Sequence, residues 1–101
     1  MKNFRTYQLA VRFYQDCKRV RLPAHLQNQL MRASSSVALN LAEGRGRSTL
    51  PDQKRFFTIA LGSIRECQCV VDLNEQSFAK ETLTTLDQLA ASCYRLIRTA
   101  R

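Results

Sequence analysis

The sequence predicts an all-α protein, an antiparallel up-down four-helix bundle, and three observations carry that prediction. Apolar residues recur at helical spacing along nearly the whole chain, and no strand-like alternation competes with them. Only three glycines and two prolines occur in 101 residues, too few for a turn-rich β fold. The breaks in the apolar pattern are short, and short connections make neighbouring helices antiparallel.

Four helices are expected, over about residues 4–21, 24–43, 51–75 and 80–99 of a single domain. Asn3 can cap the first, whose face reads Phe4, Tyr7, Val11 and Tyr14, with a second stripe of Ala10, Phe13, Cys17 and Val20. Two stripes imply burial on two sides, and therefore packing between subunits. This helix should end before Leu22-Pro23, because the residue preceding a proline is pushed out of the helical region. Pro23 suits the first turn of the second helix, which carries Leu26, Leu30, Ala33, Val37 and Leu41 and stops at Gly44 as its C′ residue.

Thr49-Leu50-Pro51-Asp52 restarts the chain with a hydroxyl cap, a proline in the first turn and an acid near the positive end of the dipole. The third helix carries Phe56, Ala60, Ser63, Cys67 and Val70, flanked by Phe57, Leu61, Ile64 and Val71, and fades around Glu75 to Ser77. The fourth reads Leu83, Leu86, Ala90, Cys93 and Ile97. Small residues (Ala33, Ser34, Ser35, Ser36, Ala38, Ala42) fill two turns of the second helix and let another backbone approach closely. Gly62-Ser63 reads as the matching surface, since a mid-helix glycine costs about 1 kcal/mol against alanine and needs a packing reason.

The N-terminus is charged throughout, unlike a signal peptide, and no apolar run approaches the roughly 18 residues of a membrane span. A cytoplasmic, soluble protein is expected. Four cysteines bear on the compartment. Cys17 and Cys93 fall on apolar faces, while Cys67 and Cys69 diverge by about 200° around one helix and cannot share a metal. Buried free thiols in a reducing environment are the expectation.

Net charge is +8, distributed unevenly. Residues 1–23 carry a net +5, residues 24–50 +2, residues 51–76 −1 and residues 77–101 +2. Such an imbalance favours an anionic partner. Arg5, Arg12 and Arg19 recur every seven residues along one side of the first helix, and Lys18 and Arg21 add to that end. Arg95, Arg98 and Arg101 form a second basic row at the end of the fourth helix, next to the first in an up-down bundle. Together they form the candidate surface for tracking nucleic-acid phosphates. The plainer alternative is a solvated face with arginines complementing helix dipoles.

Catalytic readings find little support. The stretch "NLAEGRGRSTLPDQKRFF" lacks the spacing of a phosphate-binding loop and follows a helix, not a strand. Gly44 reads there as a helix end, with Arg45 or Arg47 complementing the dipole and pairing with Glu43; a contact from Arg47 to a neighbouring subunit is compatible with that. His25 is the only histidine, so a di-metal carboxylate site has no Glu-x-x-His motif and neither the cysteines nor Ser34 to Ser36 have a base. No enzyme, metal or cofactor is expected. Asn40, Glu43, Ser63 and Glu66 instead suggest a hydrogen-bonded network that fixes helix register. Helices of about 20 residues joined by a loop from Gly44 to Leu50 also suit a helix-turn-helix regulator, with its shorter turn, poorly.

"SSSVALNLAEGRGR" followed by "KRFFTIALGSIREC" resembles the family of bacterial four-helix-bundle proteins encoded in intervening sequences of large-subunit ribosomal RNA genes. The matching positions are Ser36, Asn40, Leu41, Ala42, Glu43, Gly44, Arg47, Phe56, Ile59, Ala60, Gly62, Ser63 and Glu66. With "LPAHLQNQLMRAS" upstream, the similarity covers about residues 20–75, and the end helices match in pattern only. The resemblance implies a four-helix bundle assembled as a ring-like homopentamer. Accessory proteins of diversity-generating retroelements are similar, and they imply binding of nucleic acid. The functional expectation is a non-catalytic, self-assembling protein that binds RNA or DNA, with an oligomeric scaffold for a protein partner as the alternative.

Overall fold

The computed structural model describes residues 4–99. Four α-helices and one 3-10 turn make up this part, with no strand among the described residues: α1 (Arg5–Cys17), α2 (Ala24–Arg45), α3 (Leu50–Leu73), the 3-10 turn Glu75–Ser77, and α4 (Lys80–Thr99). The helices pack in a cycle in which α1 and α3 each touch both α2 and α4. This is consistent with a four-helix bundle.

The start and stop signals act largely as expected, with three differences. The Thr49 hydroxyl accepts the Asp52 N–H at 3.3 Å, and Pro51 occupies the first turn of α3. The first difference is that α1 ends at Cys17, well short of residue 21. Arg19 N donates to Asp16 O at 3.0 Å and Val20 N to Cys17 O at 3.2 Å, a tight closing turn that leaves Arg19 and Arg21 off the helix. The second is that Pro23 precedes α2 as its N-cap residue, its carbonyl accepting from Leu26 and Gln27. The cap expected from Asn3 lies outside the described residues.

The third difference is Gly44, which is not a C′ residue. It sits inside α2, fully packed, and the helix runs on to Arg45 with Gly46 as its right-handed C-cap. A Cβ on Gly44 would stand 2.7 Å from Phe57 Cε1, 2.9 Å from Phe57 Cδ1 and 3.0 Å from Phe56 Cβ. The glycine is there so that α3 can lie against α2. Gly62 shows the reverse: it is exposed, with nothing within 4 Å of a Cβ position, so it is not the surface that meets the small residues of α2. Ser63, the other half of the expected pair, does meet them, donating to Ser36 Oγ at 2.9 Å.

Phe13, Leu30, Leu41, Ile64 and Leu89, one or two from each helix, are wholly buried and form the centre of the core. Each such side chain contributes about 1.5–3 kcal/mol by leaving water. Of the two stripes expected on α1, Ala10, Phe13 and Cys17 are buried, whereas Tyr7, Val11 and Tyr14 remain half-buried on its flank. Thr6 and Ser92 join α1 to α4 through hydroxyls 2.6 Å apart, and Thr82 Oγ1 donates to Asp16 Oδ2 at 3.3 Å. These contacts fix which parts of α1 and α4 share a surface. Phe78, after the 3-10 turn, is buried and anchors the connection into α4.

Candidate nucleic-acid interface

The basic side chains that the repeat of seven picks out are all exposed, but they do not all lie on one helix. Arg5 and Arg12 project from α1, and their side chains have no ion-pair or hydrogen-bond partner among the described residues. Arg19 lies in the turn after α1 and pairs with Asp16 at 2.9 Å. Lys18 rests over the Tyr14 ring, 5.6 Å from its centroid, and Arg21 is exposed in the segment leading to Pro23. On α4, Arg95 is exposed and Arg98 lies over the Tyr94 ring at 5.8 Å. Arg101 lies outside the described residues.

Sequence reasoning missed Lys80. It opens α4 and shares a groove of about 330 Å³ with Arg12, Glu81, Thr84, Thr85 and Gln88. The α1–α4 contacts place the first turn of α4 beside the second half of α1, so an up-down layout was the signal that could have found it. The groove therefore presents a guanidinium, an ammonium and an amide together, while the Thr84 and Thr85 hydroxyls are spent on the backbone, donating to Lys80 O at 3.1 Å and to Glu81 O at 3.0 Å. That chemistry suits phosphate oxygens, with Glu81 setting an anionic edge.

The acids are arranged in the opposite sense. Asp16, Glu43 and Asp52 are held in ion pairs with Arg19, Arg47 and Arg55. Glu66 accepts from Gln29 Nε2 at 2.8 Å. Among the described residues, Asp72, Glu75, Glu81 and Asp87 have no ion pair, and all but Glu81 line a groove of about 370 Å³ between α3 and α4 over Val71, Leu83 and Leu86. Among the described residues, cations without an ion pair lie exposed along α1 and at the start of α4, and also at Arg32, Lys54 and Arg65 on α2 and α3, whereas most of the carboxylates without one gather between α3 and α4. A polyanion approaching the bundle is drawn to the first and repelled by the second.

The polar set Asn40, Glu43, Ser63 and Glu66 does not form one network. Asn40 Nδ2 donates to Ser36 O at 2.9 Å and to Ser36 Oγ at 3.1 Å, and Ser63 joins this group. Glu66 binds Gln29 farther along, and Glu43 turns away to the α2–α3 loop, where Arg47 meets it at 2.8 Å and reaches Asp52 at 3.8 Å. Arg47 and Arg55 lie over the Phe56 ring at 4.7 and 4.4 Å, and Arg45 covers the Phe4 ring at 4.6 Å. The arginines of this loop are thus occupied within the chain, as pairing with Glu43 implied.

Cys17, Cys67 and Cys93 are buried free thiols, whereas Cys69 is exposed, contrary to the sequence expectation for it, because its position on α3 faces away from the core. Burial raises all three buried thiols, Cys67 to about 12 and Cys93 to about 11. The unfolded chain ionises these groups first, so the stability they contribute is present below about pH 9 and is lost as pH climbs toward those values. At pH 8 without denaturant, iodoacetamide is expected to modify Cys69 alone, the other three reacting only on unfolding. Mass spectrometry of the alkylated chain checks this, and rapid loss of a second thiol in native buffer contradicts it.

Among the described residues no group of three or more His, Cys, Asp or Glu side chains could hold a metal ion, and no helix is long and apolar enough to cross a membrane. Compared with known proteins, the chain matches the family model described as 23S rRNA-intervening sequence protein over residues 2–99. The match takes in both end helices, beyond the 20–75 span where the motifs lie. No curated protein matches the chain.

Proposed function

The chain belongs to the 23S rRNA-intervening sequence protein family, and from that premise we propose that it is a non-catalytic, cytoplasmic binding protein whose α1–α4 side engages the phosphate backbone of RNA or DNA. The observation that carries this reading is the groove that Arg12 and Lys80 share, neither of them in an ion pair among the described residues, with Arg5 on α1 and Arg95 on α4 also exposed, in a chain of net charge +8. A surface of this kind binds backbone with little sequence preference.

The reading includes an antiparallel up-down course and self-assembly as a homopentameric ring. The order of contacts between α2 and α3 supports the first: Gln29 meets Glu66, Ser36 meets Ser63, and Gly44 meets Phe57. The half-buried stripe of Tyr7, Val11 and Tyr14 supports the second, since it gives each copy an apolar flank to bury against another. Assembly would repeat the basic groove around the ring and make binding multivalent.

Fluorescence anisotropy with labelled structured RNA and duplex DNA, at several salt concentrations, tests the reading. The expected result is binding whose log affinity falls with log salt at a slope of about −3 or steeper, one unit of slope for roughly each phosphate neutralised. A preference for RNA over DNA would identify the partner, because only RNA carries the 2′-hydroxyl and A-form shape. Absence of binding at about 50 mM salt would overturn it, leave the arginines to folding and assembly, and move the search to protein partners.

A further inference from the structure

Arg55, Ile59, Gly62 and Glu66 follow one another along α3 at spacings of four, three and four residues, so they share one side of the helix. All are exposed, Ile59 by 44%. Beside them on α2 stands Leu39, 69% exposed, at a level bracketed by the Ser36–Ser63 bond and the Gly44–Phe57 contact. Within the chain nothing requires a glycine at position 62, where a side chain would meet open space. Helix propensity alone disfavours it.

The order of these residues is complementary to itself. Lay a second α3 antiparallel across the first, with a two-fold axis between residues 60 and 61. Ile59 then falls opposite the second Gly62, and Arg55 opposite the second Glu66. We propose that this side of α3 is an isologous contact between two copies of the chain, each Ile59 seated over the other copy's Gly62, with an Arg55–Glu66 ion pair at either end. The glycine lets the two backbones approach, and the two Leu39 side chains widen the apolar centre. Burial of Ile59 and Leu39 drives association, while the charges set direction and register. Arg55 remains 59% exposed while contacting Asp52 and Phe56, and Glu66 uses only Oε2 toward Gln29, so both can reach a partner.

This contact is two-fold and so cannot itself close a ring of five; it would join two such rings, or two single chains. It uses none of Arg5, Arg12, Arg19 or Lys80, so its failure and that of the nucleic-acid reading are separable. The test is mass by multi-angle light scattering at about 50 µM protein without nucleic acid, where a micromolar contact is largely formed. Wild type is expected to contain an even number of copies. Arg55→Glu, Glu66→Arg and Gly62→Gln are each expected to halve the mass with unchanged helical circular dichroism, and Arg55→Glu/Glu66→Arg together to restore it. An odd-numbered or monomeric wild type, single variants that keep the full mass, or a double variant that fails to recover would overturn the proposal.

Discussion

Gly44→Leu is expected to lower the stability of the domain by more than about 3 kcal/mol, and Gly44→Ala by about 1–2 kcal/mol. The alanine methyl would stand 2.7 and 2.9 Å from atoms of the Phe57 ring, closer than carbon atoms pack. That ring is 2% exposed and lies 6.2 Å from the Phe4 ring, so it cannot swing aside without opening the core. Overpacking of this sort costs typically about 1–3 kcal/mol, and the gain in helix propensity returns at most about 1 kcal/mol of it. Leucine adds three more heavy atoms where one does not fit. In a domain of this size a loss of 3 kcal/mol lowers Tm by roughly 12 °C or more. Gly46→Ala is the control, since its methyl meets only backbone oxygens at 3.6 and 3.8 Å. Urea denaturation followed by circular dichroism reads both, and equal stability of the two alanine variants would show that α3 does not need the glycine.

The same glycine shows where reading the sequence succeeds and where it stops. The spacing of apolar residues predicts four helices, and the Thr49-Leu50-Pro51-Asp52 restart matches the structure, because both signals act within a few residues of chain. Gly44 and Gly62 are harder. Glycine serves either a turn or a close approach, and only the neighbouring helix decides which. At position 44 Phe57 lies against the backbone; at position 62 nothing does. Arg19 fails for a related reason. A repeat of seven implies one face only while the helix lasts, and the turn at Asp16 and Cys17 ends it first. Grouping Asn40, Glu43, Ser63 and Glu66 requires knowing which side of each helix they occupy, and Glu43 lies far enough around α2 to meet Arg47 instead. Lys80 is invisible as part of a site until α4 is laid beside α1.

Replacing Arg5, Arg12 and Arg19 together by glutamate is expected to weaken nucleic-acid binding by a factor of about 1,000 or more near 100 mM salt and to flatten the salt dependence by about three units. Each exchange removes one positive and adds one negative charge, so the net charge falls from +8 to +2. All three positions are exposed, so the fold should hold. Among the described residues the only pair lost is Arg19–Asp16, whose arginine is 73% exposed, and such surface pairs are worth about 0–1 kcal/mol. At position 12 the new carboxylate would also face Lys80 across the groove and neutralise it. Net charge alone would weaken binding too, so the informative comparison is Arg32→Glu/Lys54→Glu/Arg65→Glu. This variant makes the same change from +8 to +2 at exposed positions on α2 and α3. If the α1–α4 side is the interface, the first variant loses affinity far beyond the second. Equal losses would mean that overall charge governs the encounter and no side of the bundle is privileged.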